Sequence, residues 1–506
     1  MTATNSDLWV QGSALGPSSD LFLNKRVLTY NLGDRVVLIN GLTSAIDELT
    51  SKQYVQLTMD PKELAVRDPS LANELARRGY LFSEPEGEFL LENRLIENIE
   101  RAAIEKEMVF MMCPTDFCPV GCSYCFAEDR ALKARREVMS PEMIDSAFLS
   151  IEEIRRRYPS RLSTMCLYGG EPFQDFTRDT LEHIFKRSRE LGLRIAGFTS
   201  GLHAYKFKDL LESYKECIKT IAVTLDGTEA SHQSMRKMGD VYPKAIATID
   251  VLLEIGIPVL IKSNVNRFNI ADLPRLVELY KEKGWWDNPL TSYELTPIQY
   301  RQIKLERDTN FDLEMAFEFF DMRANHPELE RFDILPMADN KYGLLDGFGF
   351  HRFPKANIPM QAAVPRVHSC PSYSKHFFVF TADGNFYLCN EEVGLNASSF
   401  GTFVQDTQNG CSAHRIDYGR MENYYKRDVR TLNPCKNCPY SFFCGGGCGH
   451  HAGGEHIAMC GTIHVDFGEV VRRWAKVDKL PDLPLTGIQR SLAESIMKPF
   501  VSGQSN

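Results

Sequence analysis

Ten of the chain's fourteen cysteines fall into two groups, and their spacing is the first sign of chemistry. Cys118, Cys122 and Cys125 form a tight trio. Cys370, Cys389, Cys435, Cys438, Cys444, Cys448 and Cys460 form a longer second set. In a reducing compartment disulfides rarely persist, so clustered thiols point to metal or iron–sulfur chemistry. Three thiolates can hold three corners of a [4Fe–4S] cube. The remaining iron is then open, and an open coordination position usually means that a substrate binds there, as at catalytic zinc. A zinc knuckle also fits three cysteines. Seven cysteines exceed one structural zinc and fall one short of two fully thiolate-bound cubes. Cys113, Cys166, Cys217 and Cys411 stand apart and read as small buried hydrophobes.

The elements that must position these thiols follow from periodicity. Apolar strands are expected at Met108–Met112, Thr164–Tyr168, Arg194–Phe198, Thr220–Leu225, Pro258–Ser263 and Ser292–Leu295. Amphipathic helices are expected near 141–157, 176–191, 243–255 and 271–283. Ser140 precedes Pro141, a capping residue followed by a proline at the first helical position. Repeated β–α units imply a parallel sheet, and six of them imply an open or partial (β/α)6 barrel in an α/β protein. The trio follows the first barrel strand, where loops of such barrels carry active sites. Before the barrel, Val27–Asn31 and Val36–Asn40 read as strands around Gly33-Asp34, and Ser70–Arg78 reads as a helix ended by Gly79.

The expected division is a loose terminus (1–25), a small α+β unit with a helical linker (26–107), the barrel (108–300), a connecting, substrate-lining region (301–369), a cysteine-rich domain (370–465), and a helical end with a tail (466–506). With 506 residues, more than one core is needed. The composition, 43% hydrophobic and 25% charged, is that of a globular protein. Net charge is 58 − 67 = −9, so no basic field recruits nucleic acid or anionic lipid. The start is polar and unlike a secretory signal, and Val251–Ile261 is too short to span a bilayer, so a cytoplasmic protein is expected.

Cys118-x3-Cys122-x2-Cys125 followed by Phe126 resembles the signature of the radical S-adenosylmethionine (radical SAM) superfamily. Further motifs follow in order. Tyr168-Gly169-Gly170-Glu171-Pro172 resembles the family's GGEP element, which holds the methionine amino group. Thr199-Ser200-Gly201 stands where TNG is common. Leu225-Asp226-Gly227 with His232 and Arg236 resembles a block in which the Arg meets the methionine carboxylate, and Asn269 stands where that branch often has Asn. The resemblance implies catalytic Cys118, Cys122 and Cys125 on a cluster, with Tyr124, Phe126, Gly169, Gly170, Glu171, Pro172, Ser200, Thr224, Asp226, Arg236 and Asn269 around S-adenosylmethionine. It implies a 5′-deoxyadenosyl radical that abstracts hydrogen from substrate.

The second set resembles the SPASM extension of such enzymes. That resemblance implies Cys435, Cys438, Cys444 and Cys460 on an outer [4Fe–4S] cluster and Cys370, Cys389 and Cys448 on an inner one, three clusters in all. Relatives often place a further Cys six residues after the first of the seven; here it is His376, a ligand, a bystander to an open iron, or an ordinary histidine. His450-His451 reads as loop polarity. Sulfatase-maturing relatives carry Asp after the second cysteine, whereas Asn390 here cannot act as a carboxylate base. Val36–Thr43 and Arg78–Phe82 resemble the leading segment of enzymes that mature ribosomally made peptides, where strand addition could hold a leader. The expected reaction is oxidative modification or cross-linking of such a peptide, with flavodoxin or ferredoxin as electron donor. Sulfatase maturation or a small-molecule dehydrogenation or epimerisation is the alternative; a zinc-bearing, non-catalytic binding protein is the contrary class. No motif residue precedes Cys118, so removal of residues 1–89 is expected to spare the clusters while weakening peptide capture.

Overall fold

The structure, a computed structural model, describes residues 11–15, 20–104, 106–125, 136–158, 160, 162–298, 313–334, 365–404, 415–450, 452, 457–458, 460 and 463–476. Phe126, Cys411 and His451 lie outside the described residues.

The run Val36-Val37-Leu38-Ile39 is buried on both faces, as a central strand requires. The small unit starts with β1 (Phe22–Leu23), β2 (Val27–Asn31), β3 (Arg35–Asn40) and β4 (Ile46–Thr50), and β5 (Leu81–Phe82) pairs back on β1. β2, β3 and β4 form an antiparallel sheet with β3 in the middle. Its Gly33 takes φ +99°, as the turn requires. One face, Val36, Leu38 and Leu49, packs on α1 (Ser51–Met59), α2 (Pro61–Arg67) and α3 (Pro69–Arg77). The other, Leu28, Val37, Ile39 and Ile46, belongs to the main core. Thr50, Asp60 and Asp68 cap the three helices. Helix α4 (Gly87–Ile104) links this unit to the barrel.

The barrel strands are β6 (Met108–Cys113), β7 (Ser163–Leu167), β8 (Arg194–Thr199), β9 (Ile218–Thr224), β10 (Val259–Val265) and β11 (Thr291–Pro297), all parallel and adjacent in sequence order. The helices between them are α5 (Pro141–Arg157), α6 (Arg178–Glu190), α7 (Lys208–Ser213), α8 (Glu229–Arg236), α9 (Val241–Glu254) and α10 (Leu273–Glu282). Ser140 caps α5 by accepting from the Met143 amide at 3.3 Å. This is the partial barrel that the periodicity predicts. Two further strands extend it: β12 (Phe332–Ile334) joins β11, and β13 (Phe377–Thr381) joins β6, both parallel, with β14 (Phe386–Tyr387) antiparallel beyond. The cysteine-rich segment therefore does not stand apart from the barrel, because its first strand completes the backbone pairing of β6, which otherwise has an open edge.

The small N-terminal unit is not separable either. The Arg26 guanidinium donates to the Lys436 carbonyl (3.0 Å), the Cys438 carbonyl (3.4 Å) and Ser441 Oγ (3.1 Å), and it lies 5.0 Å over the Phe442 ring. Glu88 and Glu92 flank it. Tyr30 and Tyr440 share a hydrogen bond at 3.2 Å. A Cβ on Gly41 would stand 2.7 Å from the Pro439 carbonyl oxygen, so the two segments are in backbone contact. The expectation that removal of residues 1–89 spares the clusters did not foresee this contact: a residue outside every motif grips the loop that carries Cys435 and Cys438.

Candidate cluster and cofactor site

Strand β6 delivers the chain to the loop of the cysteine trio. Cys118, Cys122 and Cys125 share one apolar nest with Val120, Leu202, Val241, Tyr124 and Met238. The Cys125 amide donates to the Cys122 carbonyl (3.2 Å), and the Ser123 amide donates to the Met235 carbonyl at the end of α8 (2.9 Å). Three thiols packed on one apolar cluster at a strand end, Cys122 buried and Cys118 and Cys125 half-buried, suit a three-coordinated cluster with one position open.

The loop after β7 clasps the trio from one side. The Gly170 amide donates to the Thr115 carbonyl (3.1 Å) and the Glu171 amide to the Phe117 carbonyl (2.9 Å). Gly169 has φ +104°. A Cβ on Gly170 would stand 2.2 Å from the Phe117 carbonyl oxygen and 2.5 Å from that of Asp116, so only glycine fits. Glu171 is 1% exposed, and its carboxylate accepts from Thr199 Oγ1 (2.7 Å), the Phe173 amide (3.2 Å), the Ser200 amide (2.7 Å) and Ser200 Oγ (2.5 Å). Burial pushes its pKa up against these hydrogen bonds. The carboxylate, expected to accept from the methionine ammonium, here accepts from four donors that bind the ends of β7 and β8 together. Pro172 completes the turn, its carbonyl accepting from Thr177 Oγ1 at 2.6 Å.

Asp226 holds the other side. It is fully buried and accepts from Tyr124 Oη, Arg236 Nε (2.8 Å), the Asn264 amide (2.8 Å) and Asn264 Nδ2 (3.0 Å). Burial alone would raise its pKa, but the Arg236 guanidinium beside it and these donors hold it below the ordinary carboxylate range. His232 Nδ1 accepts from the Asp226 amide (3.0 Å), and burial lowers the imidazole to about 4, so it stays neutral. Asn269 Nδ2 donates to the carbonyls of Asp226 (2.6 Å) and Asn264 (2.8 Å). Arg236 itself is 6% exposed and lies 5.6 Å from the Tyr124 ring. Expected to meet a methionine carboxylate, it is bound through Nε to Asp226, and with it to the tyrosine between two cluster cysteines. Thr224 ends β9 nearby, opposite Lys262 of β10.

Inside the barrel the strands turn Met111, Cys113, Val379 and Tyr387 inward beside Tyr168. Tyr168 meets Phe198 edge-on at 5.6 Å, and Asn390 hydrogen-bonds Tyr168. Lys262 Nζ donates to Glu294 Oε1 (2.7 Å) and to Thr296 Oγ1, and lies 5.9 Å from the Phe198 ring centre. Their side chains are 14% and 17% exposed, so this pair is not sealed in the wall. The sequence reading missed both residues. The signal was there, since Leu260, Lys262 and Asn264 alternate with buried Ile261, Ser263 and Val265.

The second set also converges. Burial pushes the Cys435 thiol up to about 12, and Cys444, Cys438 and Cys460 add to the shift. Cys438 is raised to about 11 by burial, with Cys444 and Cys460 again adding. Burial raises Cys389 as well, helped by Cys370, while Cys448 and Cys370 both act on Tyr373. Cys435, Cys438, Cys444 and Cys460 thus lie near one another, as do Cys370 and Cys389, and Tyr373 lies near both Cys370 and Cys448. Buried thiols raised this far ionise beside compensating positive charge, which an iron–sulfur core supplies. Among the described residues no three His, Cys, Asp or Glu side chains are arranged closely enough to hold one metal ion. His376 heads β13, its carbonyl accepting from the Val109 amide (2.8 Å) and its Nδ1 resting on the Ser374 carbonyl. His450 Nδ1 pairs with Glu392 at 3.3 Å.

Residues 112–279 match the model of the Radical SAM superfamily. An AdoMet-dependent heme synthase of Methanosarcina barkeri is 28% identical over 24% of this chain and 34% of its own length, and the Fe-coproporphyrin III synthase of that organism is 26% identical over 35% and 42%. The chain thus spans less than half of these two relatives. A GTP 3′,8-cyclase of Paracoccus denitrificans is 24% identical over 54% of this chain and 74% of its own. Among solved structures, native anSMEcpe with bound AdoMet is similar at a TM-score of 0.50 and 16% identity, covering 73% of this chain and 97% of that one. Streptococcus suis SuiB bound to precursor peptide SuiA is similar at 0.50 and 13%, covering 88% and 100%. These two likenesses establish a shared fold.

Proposed function

From the radical SAM domain that residues 112–279 form, we propose that this chain is a radical SAM/SPASM enzyme that modifies a peptide, oxidising or cross-linking its side chains. Cys118, Cys122 and Cys125 hold the [4Fe–4S] cluster that, with S-adenosylmethionine, supplies the radical abstracting a hydrogen atom from substrate. The chain's own work is positional. Gly169–Pro172 and the Tyr124–Asp226–Arg236 group fix the cluster loop, and the apolar side chains of Val120, Leu202 and Val241 shield the trio on one side. The lumen pair Lys262–Glu294 offers polar contacts to whatever enters beside Tyr168 and Asn390. Cys435, Cys438, Cys444 and Cys460 hold the outer auxiliary cluster, and Cys370, Cys389 and Cys448 the inner one.

The observation that carries the peptide reading is the outer edge of β2. Gly41 and Leu32 bond across to Arg26 and Arg35, which directs the backbone groups of Val27, Thr29 and Asn31 away from β3. Among the described residues β2 has no second partner strand. The opposite edge, β4, is blunted: Arg78 takes the Ile46 carbonyl (3.0 Å) and Gln53 the Thr50 amide (2.9 Å). An extended leader segment that adds a strand at β2 would find main-chain partners there. One of the solved structures of similar fold, Streptococcus suis SuiB, holds a bound precursor peptide, which supports the same reading.

The test pairs the enzyme with a short peptide encoded beside its gene. Mass loss or cross-linking of that peptide with formation of 5′-deoxyadenosine is expected. Thr29→Pro removes one outward N–H at an edge where proline is tolerated, and should weaken peptide binding at least tenfold with iron content unchanged. Unaltered affinity would place recognition elsewhere. A colourless, iron-free protein would favour the zinc-bearing binding protein instead.

A further inference from the structure

The two auxiliary cysteine sets are carried by segments that meet at one buried cation. Arg427 is 2% exposed although it bears one of the longest side chains of the chain. Its Nη2 donates to the carbonyls of Gly446 (3.0 Å) and Gly447 (2.9 Å), the residues between Cys444 of the outer set and Cys448 of the inner. Gly445, Gly446 and Gly447 all take positive φ, from +69° to +80°, a conformation without intrinsic preference over others for glycine, so the loop relies on partners to stay in it. The Arg427 guanidinium lies 5.3 Å from the ring centre of Tyr373, whose hydroxyl accepts from the Gly449 amide (3.1 Å). A Cβ on Gly449 would stand 2.3 Å from that hydroxyl and 3.0 Å from Arg427 Nε, which measures how closely the parts fit. On the other side Ser369 Oγ donates to the Gly447 carbonyl (2.6 Å), and His368 Nδ1 sits 2.8 Å from the Arg427 carbonyl oxygen, so the segment that reaches Cys370 belongs to the same knot.

We infer that Arg427 is a shared positioning residue for both auxiliary clusters: it fixes the triple-glycine loop between their ligands and places one positive charge within reach of each. The inference rests on the two-cluster reading above. Two thiolate-bound clusters carry net negative charge, and a buried cation between them favours the reduced form of each, which raises their potentials. Arg427 thereby ties the loop between Cys444 and Cys448 to Tyr373, three residues after Cys370. Its effect is exerted through the loop and through charge.

Anaerobically reconstituted full-length protein tests it. Iron per chain and the midpoint potentials of the auxiliary clusters, by redox titration with EPR detection, are read for wild type, Arg427→Lys and Arg427→Met. Arg427→Met is expected to lose iron from both auxiliary sites, with the remaining signals shifted to more negative potential, while the trio's cluster keeps its S-adenosylmethionine-dependent EPR change. Arg427→Lys, with charge but no fork, should recover the potentials more fully than the iron content. Wild-type potentials and iron in Arg427→Met would overturn the inference. So would equal loss of all three clusters in both variants, which marks collapse of the chain rather than a shared local role. A wild-type protein with only the trio's iron would overturn the two-cluster reading and this inference with it.

Discussion

Arg236 shows how little of a motif residue's setting is visible in the chain. Its type and its ten-residue distance from Asp226 are visible in the chain, but its burial and its partner are not. Asp226 is sealed from solvent, and removing the guanidinium leaves that charge unpaired, a change that costs roughly 3 to 5 kcal/mol. Arg236→Met is therefore expected to release Tyr124 and loosen the cysteine loop, lowering the iron of the first cluster as well as the affinity for S-adenosylmethionine. Adding Asp226→Asn removes the orphaned charge and should restore part of the iron. Iron analysis beside equilibrium binding of S-adenosylmethionine separates the two tasks: full iron with weakened binding in the single variant would return Arg236 to the methionine carboxylate alone. Glu171 carries the same lesson. The motif names it, whereas its four donors come from β8 and from its own turn, and no spacing rule gives that. Lys262 and Glu294 are the reverse case, legible from strand alternation yet belonging to no motif.

At the scale of elements the periodic parts were legible. All six barrel strands and the four long helices lie within about three residues of their expected positions, because apolar period and capping act locally. What was missed was either local and unread or non-local. Asp60-Pro61 and Asp68-Pro69 are cap-plus-proline pairs that announce α2 and α3, and neither was read, although the second helix was expected from Ser70. The pairing of β13 with β6 joins residues more than two hundred and fifty positions apart, and no local pattern reports it. The turns between strands and helices make a sharper prediction. Gly170→Ala drives a methyl group into two carbonyl oxygens of the cysteine loop, and neither backbone atom can swing aside. The variant should fail to retain the first cluster after reconstitution. Gly192→Ala is the control: its φ of +67° is strained for alanine by about 1 kcal/mol, but nothing stands within 4 Å of the added methyl. It should keep full iron with a slightly lower Tm. Equal iron in the two variants would show that the Gly169–Pro172 turn does not clasp the cysteine loop.

At the scale of the whole molecule, the chain behaves as one assembly rather than a catalytic barrel with appendages. A single core runs from Leu28 and Ile39 of the first sheet through the barrel to Phe467 and Val470 near the C-terminus. Arg26 is the point at which this matters for chemistry. It stands directly before β2, the strand whose open edge we assign to the peptide, and its guanidinium holds the carbonyls of Lys436 and Cys438. Three charged-donor hydrogen bonds and the ring contact with Phe442 would be lost together in Arg26→Met, leaving Glu88 and Glu92 facing each other without their shared cation. The outer cluster should then be retained in only part of the chains and be lost first under chelator, while the first cluster is spared. Deletion of residues 1–89 should do the same more completely. Iron loss against time in a chelator challenge, with the EPR signals of the three clusters followed separately, measures this. A truncated protein that holds all its iron as long as the full chain does would show that the contacts of Arg26 are mere packing, and that the N-terminal unit serves the peptide alone.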